Sequence, residues 1–470
     1  MKVLVIMMAM LMTVSTGAAA AAIDWKLVHE RTDAALRHLY DLDFRKAETV
    51  SNEVIVMAPN DPRGHFVKAM VYYYRMSFKG TKNDTAFGGF LYHAAKVEKV
   101  CDQLLEQNEN DTKAMFYMGG IIGFKGLTYF SRGENMKAVW DGKKGYTLLV
   151  DALELDPDNH DAKMGLGLFR YLISQAPESI RPLLKAAGAE GDRAGGLRML
   201  EEAAAKGTYA RWEARRWLAD FYQAEDMPVR AASHLDILAR EFPDNWYLQR
   251  ELADVRLYQL KQPDKAEAIY RRLLEMPILE YDAEQVRYSV RMRLAYADMI
   301  RERYAQARVW AAQVRDKAPS PRLKDDAVKQ IEAIDNLQND PIQRVSNAIA
   351  AGAWMRTNVL ADSLRALPGG FLSQKNDAYA WYLQGAAYTE LQNYGQAEEC
   401  LRMAIGKPEK EQWLEAYCCY RLGMVQARRG KASEATAWFQ KAAGFSDYPG
   451  ERTLRIRLAR ERAALKKVTD

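Results

Sequence analysis

Cysteine, histidine and proline are scarce in this 470-residue sequence, and each scarcity closes off a class of function. The four cysteines are Cys101, Cys400, Cys418 and Cys419. They are too few and too irregularly spaced for a disulfide framework or a zinc site. A bond between the adjacent Cys418 and Cys419 would be strained, which leaves a Cys400–Cys419 bridge or four buried free thiols. The six histidines include no pair four apart with a glutamate, so there is no metalloprotease helix. His160 lies in the acidic run Asp156–Asp161, but a calcium loop needs glycine at its sixth position and glutamate at its twelfth. Asp161 and Gly167 stand there. Gly119, Gly120, Gly123 and Gly126, like Gly165 and Gly167, sit in helical patterns rather than after a strand, so close helix packing explains them better than a phosphate loop. No Gly-x-Ser-x-Gly elbow occurs. The expectation is no catalytic residue, no metal, no cofactor, and a protein that is not an enzyme.

Charge of one sign is also lacking. With 67 basic and 62 acidic residues the net charge is +5, without the basic excess that nucleic-acid binding calls for. The longest apolar run, Val3–Val14, is short of the roughly 20 residues a membrane span needs. It follows Lys2 and precedes the small, alanine-rich Ser15–Ala22, the three-part pattern of a secretory signal peptide over residues 1–22. No cysteine precedes Cys101, so no lipid-attachment site adjoins the cleavage region. Export to the periplasm or cell envelope is expected.

What the sequence has in abundance is a period. Ala47, Ser51, Val54 and Pro59 share one spacing with Gly145, Leu149, Ala152 and Pro157, with Ala231, Leu235, Leu238 and Pro243, and with Ala307, Ala311, Val314 and Pro319. Each set places a proline twelve residues after its first small residue. Trp381, Gly385, Tyr388, Ala397, Leu401 and Ala404 read as a complete two-helix unit, and Gly423, Ala435, Phe439 and Ala442 as most of another. Small residues belong where two helices cross closely. Proline then ends the second helix, and Asp or Asn caps the next, as in Asp156-Pro157-Asp158-Asn159. Self-similarity near 34 residues is a signature of solenoids.

The pattern resembles the tetratricopeptide repeat (TPR) family, including exported bacterial members, over roughly residues 25–445. The resemblance implies an all-α solenoid of about nine or ten helix pairs wound as a right-handed superhelix. The expected organisation is a signal peptide over 1–22 and an N-terminal repeat block over 23–335. Segments near 77–90 and 173–196 are read as insertions, the first a loop and the second holding a short helix. A C-terminal block over 336–448 and a basic capping helix over 449–470 complete the chain. From Glu451 to Val468 the cap carries seven Lys or Arg against two Glu, which suggests a solvated face or a contact with the envelope.

In this family the first helix of each pair lines a concave groove. Carried over by position, the groove residues are Phe66 and Tyr73, Arg216 and Asp220, Arg250 and Asp254, Tyr379 and Tyr382, and Tyr417 and Tyr420. Asp220 and Asp254 replace the Asn of the family's carboxylate clamp, so that clamp is not expected. Tyrosine is enriched at interfaces. The resemblance thus implies a scaffold that binds protein partners, with no nucleic acid involved. The alternative is a ligand- or lipid-binding module using a pocket at the inserted segments.

Overall fold

Capping explains where the helices begin. In the computed structural model, which describes residues 23–79, 84–176, 184, 188, 191–337, 340–366, 374–408 and 410–469, Asp24, Asp43, Asp111, Asn159, Asn245 and Asp282 each accept hydrogen bonds from first-turn backbone N–H groups. Asn159 and Asn245 follow Pro157 and Pro243, as the repeat pattern requires. The described residues form helices and no strand, and none of these helices is long and apolar enough to cross a membrane. The expected signal segment, residues 80–83 and most of the second insertion lie outside the described residues.

The chain divides into two compact units, Met1–Asp192 and Arg193–Asp470. The boundary expected at 335/336 lies inside the second of these units. Pro341 starts one helix a few residues after another ends, within the second unit.

Unit 1 contains α1 (Trp25–Tyr40), α2 (Phe44–Met57), α3 (Arg63–Lys79), α4 (Asp84–Gln107), α5 (Thr112–Ser131), α6 (Asn135–Leu155) and α7 (His160–Ser174). The loop expected over 77–90 is narrower than the sequence suggested, because α3 reaches Lys79 and α4 starts at Asp84. Ala86 and Phe90 continue the helical stripe of Ala94, Val97 and Cys101, all buried, and that burial holds 84–90 in the helix. Unit 2 contains α8 (Arg193–Lys206), α9 (Arg211–Ala224), α10 (Pro228–Glu241) and α11 (Trp246–Asp254). A π turn, Val255–Gln259, continues α11. Then come α12 (Pro263–Glu275), α13 (Ala283–Ile300), α14 (Tyr304–Lys317), α15 (Pro321–Leu337), α16 (Pro341–Ala350), α17 (Trp354–Arg365), α18 (Gln374–Glu390), α19 (Tyr394–Gly406), α20 (Gln412–Arg428), α21 (Ala432–Ala443) and α22 (Glu451–Thr469).

Consecutive helices pack as hairpins: α1–α2, α3–α4 and α5–α6 in unit 1, and α9–α10, α11–α12, α13–α14, α16–α17, α18–α19 and α20–α21 in unit 2. The small residues of the pattern sit at the crossings. A Cβ on Gly385 would lie 2.7 Å from Leu401 Cγ, and one on Gly423 would lie 2.4 Å from the Phe439 ring. Ala47, Ala231, Ala307, Ala397 and Ala435 have no exposed surface. The turns within the hairpins repeat as well. Leu42, Gly133, Asp226, Lys261, Glu302, Gly352, Gln392 and Gly430 all have positive φ, and each lies two residues before its second helix. A left-handed residue there reverses the chain tightly. α22 covers the last hairpin, with Leu454 and Leu458 packed on Ala416, Cys419, Tyr420, Ala435, Phe439 and Ala442. It is the cap that a solenoid needs to close its final apolar face. All four cysteines are buried free thiols, so of the two readings left open the structure contains no bridge.

Candidate functional site

First helices of the hairpins carry the expected groove residues, and the structure sorts these into three groups. In unit 2, Tyr379 and Tyr382 lie one turn apart on α18 with stacked rings, 6.2 Å between centroids. Trp413, from the next first helix α20, meets Tyr379 at 5.8 Å and Tyr382 at 6.1 Å edge-on, and Tyr417 lies 6.2 Å from Trp413. All four rings are half-buried. Arg421, one turn beyond Tyr417, reaches over Tyr382 and bonds to Glu390. The result is an apolar platform bordered by a guanidinium, suited to stacking and cation–π contacts. Burial pushes the Tyr379 and Tyr417 hydroxyls above their ordinary pKa, so both stay protonated at neutral pH, and Tyr417 donates to the Gly450 carbonyl at 3.2 Å.

Tyr420 departs from the expectation. It is 3% exposed and packs against Phe439, Leu454 and Leu458. In the last hairpin α22 covers this position through Leu454 and Leu458. Trp413, which the position rule did not pick out, completes the platform. Its sequence signal is its place four residues before Tyr417, on the same helix face.

The charged pairs in the middle are occupied internally. Arg216 bonds to Asp220 and Glu213, both at 3.1 Å. Arg250 lies 2.8 Å from Glu251 and 3.9 Å from Asp254. Asp254 accepts from the Tyr270 hydroxyl at 2.5 Å and from Arg293 at 2.7 and 3.0 Å. Asp254 thus ties α11, α12 and α13 together, the Arg216 bonds stay within α9, and a partner would have to displace existing bonds to use either group. Burial raises the Asp220 pKa, while Arg216 opposes the shift.

In unit 1, Phe66 and Tyr73 pack among the helices. Phe66 meets Tyr117 at 5.3 Å, and Tyr73 meets Phe124 at 5.0 Å and Phe90 at 6.1 Å. Beside them lies a feature with no single-residue signature in the sequence. An apolar cavity of about 330 Å³ opens among the C-terminal half of α5, the N-terminal half of α6 and the C-terminal half of α7, with Leu184 on its wall. Gly126 and Gly142 contribute no side chains to it. Among the described residues, no group of three or more His, Cys, Asp or Glu is placed to hold a metal ion.

Comparison with protein families matches the tetratricopeptide repeat over residues 220–283, which spans the α11–α12 hairpin, and again over residues 378–406, which spans α18–α19. Those two segments are tetratricopeptide repeats. Repeats of this kind support protein–protein interaction. No match is found among curated proteins. Among solved structures, the chain is similar to the TPR domain of P58(IPK), at 11% identity, covering 80% of this chain and 94% of that one with a TM-score of 0.24. Yeast Tom70 is similar at 12% identity, covering 91% and 86% with a TM-score of 0.29. Superposition is loose at these scores, and the repeat assignment rests on the two matched segments.

Proposed function

We propose that the protein is a non-enzymatic scaffold that is exported and holds a protein partner in the periplasm or cell envelope. The observation that carries this reading is the platform of Tyr379, Tyr382, Trp413 and Tyr417. Four large rings from two successive first helices pack against the adjoining cores yet stay partly exposed side by side. Aromatic side chains of this kind dominate interface energetics. The three-part character of residues 1–22 supports export.

A photo-crosslinking residue at Tyr382 should capture one reproducible partner from envelope extracts. The Tyr379→Ala/Trp413→Ala double variant should lose it while keeping its helical circular-dichroism signal. Capture unchanged by that variant would remove the platform from the interface. Fractionation of a C-terminally tagged chain, with N-terminal sequencing of the product, tests export: a mature start near Ile23 is expected, and a cytoplasmic, full-length chain would overturn it.

Among the described residues, envelope contact through the cap would draw on the exposed Arg452 and Arg455. Arg457 and Arg460 point to Asp226, and Arg462 bonds to the Phe439 carbonyl. The second reading, a ligand-binding module, is favoured by the apolar cavity of unit 1.

A further inference from the structure

The cavity of unit 1 has a chemistry that narrows what it can hold. Its walls are Phe130, Val139, Phe169, Leu172, Ile173 and Leu184, and among the described residues no carboxylate contributes to its lining. A nucleotide, sugar or other hydrogen-bonding ligand would leave its polar groups unpaired against such walls, at a cost of roughly 1–3 kcal/mol for each group. Its volume of about 330 Å³ is at the small end of ligand pockets, which run from roughly 300 to 1,000 Å³. One hydrocarbon chain suits that size better than a two-chain lipid.

Two polar side chains, Lys143 and Gln175, belong to the lining, and both are exposed at its rim. An ammonium group at the mouth of an otherwise hydrocarbon pocket complements an anionic head. The outer surface beside the cavity points the same way. Phe130 is 58% exposed, Met136 64% and Trp140 67%, an unusual density of bare apolar side chains, and Lys137, Lys143 and Lys144 are exposed among them. Aromatic rings interspersed with lysines are the composition that seats a surface in the headgroup layer of a membrane.

We propose that this cavity binds the hydrocarbon chain of a single-chain anionic amphiphile, with the head group held at Lys143 and the Met136–Trp140 rim contacting the lipid surface from which the chain is taken. This rests on the ligand-binding reading and gives it a ligand class. The shared chemistry is one alkyl chain and one anionic head, which a fatty acid or a lysophospholipid would each supply.

The test uses the purified full chain, stripped of lipid, and the fluorescent fatty acid cis-parinaric acid. Saturable binding of one molecule per chain is expected. Gly142→Leu should weaken it at least ~tenfold by filling the space with a side chain. A Cβ there would meet only Phe169 Cε1, at 3.8 Å, so the hairpin accommodates it. Lys143→Gln should weaken the acid several-fold and leave its methyl ester unchanged. Competition by palmitate or by lysophosphatidylglycerol then decides which head group is preferred.

Absence of saturable binding, or binding untouched by Gly142→Leu, overturns the proposal. If parinaric acid fails but native mass spectrometry finds another small molecule that Gly142→Leu excludes, the amphiphile assignment falls and the ligand-binding reading stands. If Gly142→Leu instead abolishes capture of a protein partner, the cavity is a socket for a partner's side chain and both readings fall.

Discussion

One contact spans more of unit 2 than any local interaction can, and it makes a sharp prediction. Asp226, in the left-handed turn between α9 and α10, accepts hydrogen bonds from Arg457 Nε and Nη2, each at 2.8 Å, across 231 residues of sequence. Arg460 Nη1 adds a bond to the Asp226 carbonyl at 2.6 Å. The capping helix is therefore fastened on one face by Leu454 and Leu458 and on another by this ion pair to a turn near the start of the unit. Both side chains are partly open, with Arg457 29% and Asp226 26% exposed. That places the pair between surface ion pairs, worth about 0–1 kcal/mol, and buried ones, which cost about 3–5 kcal/mol to break. Its two-bond geometry favours the upper side of the exposed range.

Asp226→Asn is the cleanest perturbation. Asn tolerates the positive φ of 54° at that position, and the Arg460 bond to the carbonyl survives. A loss of about 1 kcal/mol is expected, which corresponds to roughly fivefold faster hydrogen exchange through opening of α22. Exchange is the right assay, because global unfolding of a repeat array is not reliably two-state. A cycle with Arg457→Gln should give a coupling of about 1 kcal/mol that shrinks as salt is raised. Coupling below about 0.3 kcal/mol, or unchanged exchange of α22 in Asp226→Asn, would refute the fastening.

Three further outcomes follow from the same packing. Gly423→Ala should destabilise unit 2 by about 1–3 kcal/mol in thermal melts. Its Cβ would stand 2.4 Å from Phe439, whereas Gly395→Ala on α19, with nothing within 4 Å, should be neutral or slightly stabilising. His93, 3.2 Å from His65 and stacked on Tyr72, is held down to about 4 by burial and by the cations Lys68 and Lys96, with Glu48 opposing. The unfolded chain then binds an extra proton between pH 6.5 and about 4. Stability of unit 1 should therefore fall through that window by up to about 3 kcal/mol, and denaturation of His93→Gln should lose most of that pH dependence. Burial pushes the Cys400 and Cys419 thiols up to about 11 and also raises Cys101 and Cys418, so alkylation at pH 8 followed by mass spectrometry should find all four unreactive until the chain is unfolded.

Hairpin crossings were legible because they depend on residue size at fixed spacing. Gly385 against Leu401 and Gly423 against Phe439 can be read from a linear pattern. The positive-φ turn that recurs in the described hairpins was not legible, because Leu42, Asp226, Lys261, Glu302 and Gln392 occupy it more often than glycine does. Nor was the division at Asp192/Arg193, since Pro341 looks like punctuation in the sequence but only starts a helix. The aromatic platform was half legible. The position rule found Tyr379, Tyr382 and Tyr417, missed Trp413, and offered Tyr420, whose exposure is set by a cap helix some 35 residues further along.

Glycines of the α5–α6 hairpin show why the cavity in particular could not be foreseen. In the sequence, Gly119, Gly123, Gly126, Gly142 and Gly145 look equivalent, and close helix packing accounts for them as a set. In three dimensions they separate. A Cβ on Gly119 would lie 2.9 Å from Leu149, and one on Gly145 would lie 2.9 Å from the Gly119 carbonyl. Those two glycines are small because a neighbour fills the space. A Cβ on Gly142 would meet only Phe169, at 3.8 Å, and Gly142 lines the cavity. A missing side chain lets two helices touch in the first case and leaves room for a third body in the second. Composition and spacing are identical for both, so only the path of α7 across the hairpin decides which glycine closes a contact and which one opens a site.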